Sequence, residues 1–155
     1  MHFTTTTILG LAGLASTALA APALDARAEV VSAMAAGPEW TIGSFKRTCN
    51  AADTSCTVSF TLPNIDDGGL TGFGCTYIVE AAAPASRAPV NGKTCGPYTI
   101  SSSWSGQFGE GQGFTTWAIV HYAKRLIVWP AYADWELKND TVVVPNKSYA
   151  PAVLP

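Results

Sequence analysis

The sequence predicts an all-β fold, a small antiparallel β-barrel or sandwich of about eight strands with two disulfides. Three observations carry this expectation. Apolar residues recur with period two in short runs bounded by Gly, Pro, Asn and Asp clusters. No amphipathic stripe of period 3.6 extends over a helix-length window, and no segment repeats another. Four cysteines, Cys49, Cys56, Cys75 and Cys95, fall inside the patterned region.

The amino terminus stands apart from that pattern. Residues 1–20, MHFTTTTILGLAGLASTALA, place an apolar stretch from Ile8 to Ala15 ahead of Ala18, Leu19 and Ala20, the small-x-small site of a secretory signal peptide cut after Ala20. The stretch is too short and too rich in Thr and Gly for a span of about 20 apolar residues, so stable membrane insertion is not expected. Residues 21–39 are rich in Ala and poor in aromatics, which reads as a propeptide or flexible arm, with Arg27 as its processing point. Residues 40–155 then form a single all-β domain, long enough to bury roughly two-thirds of its unfolded surface. The eight basic and eight acidic residues of that domain leave it near neutral, against non-specific nucleic-acid binding.

Each strand has its own signal. Trp40 to Thr48 opens the set, with Gly43 interrupting the alternation as a bulge does. In Cys56 to Leu62 the residues Cys56, Val58, Phe60 and Leu62 face one way and Thr57, Ser59 and Thr61 the other, the mark of a half-buried strand. Pro63 to Gly69 is a loop, Cys75 to Ala81 the third strand, and Asn91-Gly92 a tight turn within the excursion that follows. Tyr98 to Trp104 makes the fourth. Phe114 to Tyr122 and Leu126 to Trp129 form a hairpin over Ala123 to Arg125, apolar on both faces and so central, with Trp117 and Trp129 buried. Pro130 ends it by removing a ladder donor. Tyr132 to Leu137 and Thr141 to Val144 complete the strands.

An even number of cysteines in a chain with a secretory signal predicts two disulfides, for which three pairings exist. Neighbour pairing, Cys49 with Cys56 and Cys75 with Cys95, is favoured because the first pair flanks the polar turn NAADTS and would face across a hairpin. A zinc site is the alternative use, but it needs cysteines two to four residues apart and usually histidines. His121 is the one histidine of the domain. No metal and no cofactor are expected.

Few residues fall in catalytic groupings. Asp134 and Glu136 share a face if their segment is a strand, and a glycosidase needs two carboxylates across a cleft; Asp66-Asp67 before two glycines reads as turn chemistry. His121 has no G-x-S-x-G elbow to serve and reads as a structural histidine. Gly106 to Gly113 holds four glycines but lacks the Gly-Lys-Ser/Thr ending of a phosphate loop and carries Glu110, so a flexible turn is expected. No enzyme is indicated.

Aromatics are numerous for the size of the domain. Of these, Trp104, Phe108 and Trp135 lie beside loops and are the candidates for an exposed face that stacks on polysaccharide rings. Two N-glycosylation sequons start at Asn139 and Asn146. The dibasic pairs Lys46-Arg47 and Lys124-Arg125 belong to a strand and a tight turn, where cleavage would sever hairpins.

The runs WTIGSFKRTCNAADTSCTVSF, CTYIV, CGPYTISSSWSGQFGEGQGFTT, LIVWPAY and SYAPAVLP resemble the fungal secreted hypersensitive-response-inducing elicitors, over most of the chain from Trp40 to Pro155. A more distant likeness, through the W-x-I-x-x-F opening, is to the fungal major-allergen β-barrel proteins. The elicitor resemblance implies an extracellular protein that triggers plant defence by binding a host surface component or receptor, and it supplies no catalytic residue. A cell-wall polysaccharide-binding module using Trp104, Phe108 and Trp135 is the competing reading, and a hydrolase using Asp134, Glu136 or His121 the third.

Overall fold

The computed structural model describes residues 37–82, 84–138 and 140–154. The signal at 1–20, the cut after Ala20, the arm as far as residue 36, and Asn139 lie outside the described residues. Ten short strands run β1 (Trp40–Cys49), β2 (Ser55–Pro63), β3 (Gly72–Glu80), β4 (Val90–Cys95), β5 (Tyr98–Ser105), β6 (Phe114–His121), β7 (Leu126–Val128), β8 (Ala131–Ala133), β9 (Lys147–Tyr149) and β10 (Ala152–Val153). Three 3-10 turns, at 65–67, 85–87 and 122–124, are the only helical pieces among the described residues, and none is long and apolar enough to cross a membrane.

All pairings are antiparallel and fall in two sheets. One has the order β3-β2-β1-β9; the other has β10-β7-β6-β5-β4, with β8 also paired to β6. Two open sheets make this a sandwich and remove the barrel alternative. The alternation seen in the sequence builds it: Cys56, Val58, Phe60 and Leu62 are buried on β2, and Trp117, Ile119 and His121 on β6. Phe45 sits where the sheets meet. Its ring is 5.1 Å from Phe60, 4.8 Å from Trp117 and 4.1 Å from Tyr132, so one side chain on β1 joins β2 to β6 and β8. Trp40 meets Tyr98 of β5 edge to face at 5.2 Å, tying the other end.

Two disulfides close the sandwich. Cys49–Cys56 bridges the β1–β2 hairpin with Cα atoms 4.0 Å apart, and Cys75–Cys95 joins β3 to β4, the edges of opposite sheets, at 5.6 Å. These are the favoured neighbour pairs. The bulge at Gly43 is present as a register shift between Gly43 and Lys46, with Ser44 at φ 51°. A side chain at Gly43 would collide with Thr61.

Several local expectations fail for physical reasons. Asn91-Gly92 is not a hairpin turn: it lies inside β4, where Gly92 at φ 66° absorbs a register shift against β5. The count rises from about eight strands to ten because β4, β9 and β10 are short edge pieces without clear alternation. Thr141 to Val144 is no strand; Val143 gives one backbone hydrogen bond to Phe45, and Pro145 lacks the N–H to continue a ladder. The segment Tyr132 to Leu137 is extended only to Ala133 and then turns, Glu136 N–H bonding the Ala133 carbonyl and Leu137 N–H that of Asp134. Trp129, expected in the core, is 53% exposed. It follows Val128, which is fully buried, so alternation turns its ring to the outer face of the sheet.

Candidate functional site: an open groove beside Trp104

Three of the side chains singled out in the sequence, Trp104, Glu110 and Asp134, meet at one end of the sandwich, where β5, the glycine-rich loop, the 85–87 turn and the 134–137 turn come together. They border an open groove of about 520 Å³, lined by Arg87, Trp104, Glu110, Asp134 and Lys138 together with glycines 106, 109, 111 and 113. Trp104 organises it. Strand alternation puts Trp104 on the inner side of β5, opposite Thr115 of β6, at the sandwich mouth. The Arg87 guanidinium lies over its ring, 4.4 Å from the centroid. Its indole N–H donates to Asp134 Oδ2 at 3.0 Å.

The glycines around it are not merely flexible. A Cβ at Gly106 or Gly113 would collide with the Trp104 ring, so these two are small because the indole passes over them, whereas Gly109 and Gly111 supply left-handed turns at φ 101° and 73°. Trp104 is therefore half-buried and covered by Arg87, not the free stacking platform expected of it. Phe108 is 67% exposed on the loop, stacked 5.7 Å from Phe114. Trp135 is 64% exposed on its turn but does not line the groove.

Behind the groove runs a chain of charges. Arg47 of β1 reaches Asp134 Oδ1 at 3.6 Å and donates to the Ser86 carbonyl at 2.8 Å. Asp53 takes the Ser86 backbone N–H at 2.8 Å and its hydroxyl at 2.5 Å, which fixes the turn that carries Arg87. Burial pulls the Arg47 guanidinium below its ordinary range, and Asp134 beside it opposes that. Arg47 thus neutralises Asp134, leaving Arg87, Lys138 and Glu110 as the charges that face solvent in the groove.

Asp134 and Glu136 do not share a strand face, because the chain turns between them. Glu136 accepts the Ala133 N–H at 2.8 Å and pairs with Lys147 at 2.7 Å. Asp134 takes the Trp104 indole N–H on Oδ2, while its buried Oδ1 has Arg47 at 3.6 Å and no hydrogen bond of its own; Glu136 is held by Lys147 and the Ala133 N–H. His121 is 3% exposed; its Nδ1 accepts the Lys124 N–H at 3.2 Å, its ring packs edge to face on Tyr98, and its buried Nε2 has no hydrogen-bond partner. Asp66 and Asp67 do turn chemistry: Asp67 accepts the N–H groups of Gly69, Leu70 and Thr71, and Asp66 pairs with Lys124 at 2.8 Å. The Thr71 hydroxyl holds Asp67 below the usual carboxylate range, and Lys124 does the same for Asp66.

Cys49, Asp53 and Cys56 lie within reach of one another, but the two sulfurs are bonded together, which removes the thiolates a metal site would use. Asn146 is exposed; its Oδ1 accepts the Ser44 N–H at 3.0 Å. Sequence reasoning gave no site role to Arg87, Lys138 or Arg47 and placed Trp129 in the core. Only proximity to Trp104 in three dimensions gives the first three a role.

Fold and groove define a small disulfide-bonded β-sandwich with charges and aromatics gathered at an open surface groove, and it is similar to fungal effectors. The chain belongs to the Effector TSP1 family, whose family model matches residues 41–154. Effector TSP1 of Hypocrea virens (strain Gv29-8 / FGSC 10586) is 52% identical over 151 residues, which cover 97% of this chain and 98% of that protein. The fungal elicitor and effector relationship drawn from the sequence is thereby shown.

Proposed function

We propose that this protein is secreted and acts as an elicitor, binding a plant surface component through the groove beside Trp104 without catalysing a reaction. The observation that carries this is family membership along nearly the whole chain, joined to a groove built for recognition. Arg87 lies over an indole, 4.4 Å from its centroid, and Gly106 and Gly113 pack against the same ring. An arginine ordered on an aromatic ring loses less rotamer freedom on binding, which is why such pairs recur at interface hot spots. The signal and the two disulfides support an oxidising, extracellular destination. Of Asp134, Glu136 and His121 only Asp134 lines the groove, which supports binding rather than hydrolysis there.

The test is infiltration of purified, oxidised protein into leaves, with necrosis and the oxidative burst as readouts. Elicitation at micromolar dose is the expected outcome. A folded sample that leaves the tissue unchanged contradicts the proposal.

A further inference from the structure

We propose that the outer face of the six-stranded sheet is a second binding surface, independent of the groove, and that it takes an uncharged cell-wall polysaccharide along β5 and β6. Strand alternation assembles it. Every second residue of β5 from Thr99 to Ser105 points away from the core, and each of those four carries a hydroxyl: Thr99, Ser101, Ser103 and Ser105. On β6 the residues facing them on the same side are Val120, Ala118, Thr116 and Phe114. Their inward neighbours Ile100, Trp117 and Ile119 are buried; on the outer face Val120 is buried too, so the open part of that face on β6 runs from Ala118 to Phe114.

Aromatics stand beside this hydroxyl band at the level of Ser101 and at the level of Ser105. Trp129 follows Val128, whose partner is Ile119, so it stands beside Ala118 with its ring 53% exposed. Phe114, four residues along β6 from Ala118, lies roughly 13 Å away by strand rise, and the exposed ring of Phe108 stacks on it. Beside Trp129 is a shallow depression of about 270 Å³ bordered by that ring and by Asn91, Ser101, Ser103, Thr116 and Ala118; the phenylalanine pair lies further along the band and does not line it. Ser101 Oγ accepts the Gly92 N–H at 3.1 Å, which orients the hydroxyl and leaves its proton to donate outward.

The charge of the lining selects the occupant. No charged side chain borders the depression among the described residues. A nucleic acid or an anionic membrane needs cations there, and protein hot spots lean on Arg as well as aromatics. A chain of neutral sugar rings needs what is present: flat aromatic faces for its C–H surfaces, hydroxyls for its hydroxyls, and an extended strip wide enough for several rings. Cellulose, chitin and β-glucan share that chemistry.

Retention of the purified protein on insoluble cellulose, chitin and β-1,3-glucan, measured separately, tests the proposal and distinguishes the three sources. Retention on at least one is expected, with Trp129→Ala and Phe108→Ala each weakening it about tenfold and Arg87→Ala leaving it unchanged. Ser103→Ala, which removes an exposed hydroxyl and little else, gives a smaller loss and serves as the variant least able to disturb folding. The proposal is overturned by absence of retention on all three polymers, or by retention that none of the outer-face variants alters. It is equally overturned if light scattering shows Trp129→Ala dissociating an oligomer while no polymer is bound, since a second copy of the chain would then be the occupant.

Discussion

Replacing Gly113 by alanine puts the whole Trp104 arrangement under load with a single methyl group. The new Cβ would stand 2.8 Å from Trp104 Cζ2 and 2.9 Å from its Nε1, and closer still to Asp134 Oδ2. Neither neighbour can retreat freely: the indole is held under Arg87, and Asp134 is held by Arg47 and by the indole N–H. Overpacking of this kind costs about 1–3 kcal/mol, and loss of a hydrogen bond to a charged group about 1.5–3 kcal/mol. The two overlap, since one displacement relieves the clash by breaking the bond. Reduced freedom of the unfolded chain returns about 0.4–1 kcal/mol. A net loss of about 1–2.5 kcal/mol follows. Gly74→Ala is the matched control, because a Cβ there meets nothing within 4 Å and should be neutral or slightly stabilising. Urea unfolding of the oxidised proteins, followed by tryptophan fluorescence, measures both. If Gly113→Ala lies within about 0.5 kcal/mol of Gly74→Ala, the packed indole is not what this glycine serves.

Phe45→Ala removes the ring that joins β1 to β2, β6 and β8 and should cost about 3–5 kcal/mol in the same assay; a loss near that of a surface substitution would mean the sheets do not depend on it. Replacing Cys75 and Cys95 by serine should destabilise more than replacing Cys49 and Cys56, about 3.3 against 2.5 kcal/mol from their separations of 20 and 7 residues. The reverse order in denaturant midpoints would show that loop entropy does not govern them. Burial pushes Tyr77 and Tyr98 up to about 12, with Tyr132 and Tyr149 also raised by burial. Their neutral forms are favoured by the fold, so that stability is complete below about pH 10 and lost as pH rises through about 12; an unfolding free energy flat across that window would refute it.

The sandwich was legible because alternation is a local property. The strand at Cys56 to Leu62 and the apolar β6–β7 hairpin carry their burial in the order of their side chains, and the polar turn between Cys49 and Cys56 brings those cysteines face to face. The groove was only half legible. Trp104 and Asp134 stood out as residue types, but their partners come from elsewhere: Arg47 from β1 and Arg87 from a 3-10 turn anchored by Asp53. Nothing near Trp104 in sequence announces a guanidinium above its ring. Asp134 and Glu136 misled because a run of alternating residues after Tyr132 looks extended until the Ala133 carbonyl takes the Glu136 N–H. Trp129 misled in the opposite way. A hydrophobic run on a central hairpin reads as buried on both faces, yet its sheet is covered on one, and parity alone decides which side the indole takes.

The most direct test of the account is leaf infiltration with wild-type protein beside Arg87→Ala/Lys138→Ala, both verified as folded by their unfolding transitions and intact disulfides. The account predicts necrosis and an oxidative burst from the wild type, and a response from the variant reduced to that of buffer. Equal responses from the two folded proteins would contradict the assignment of recognition to this groove.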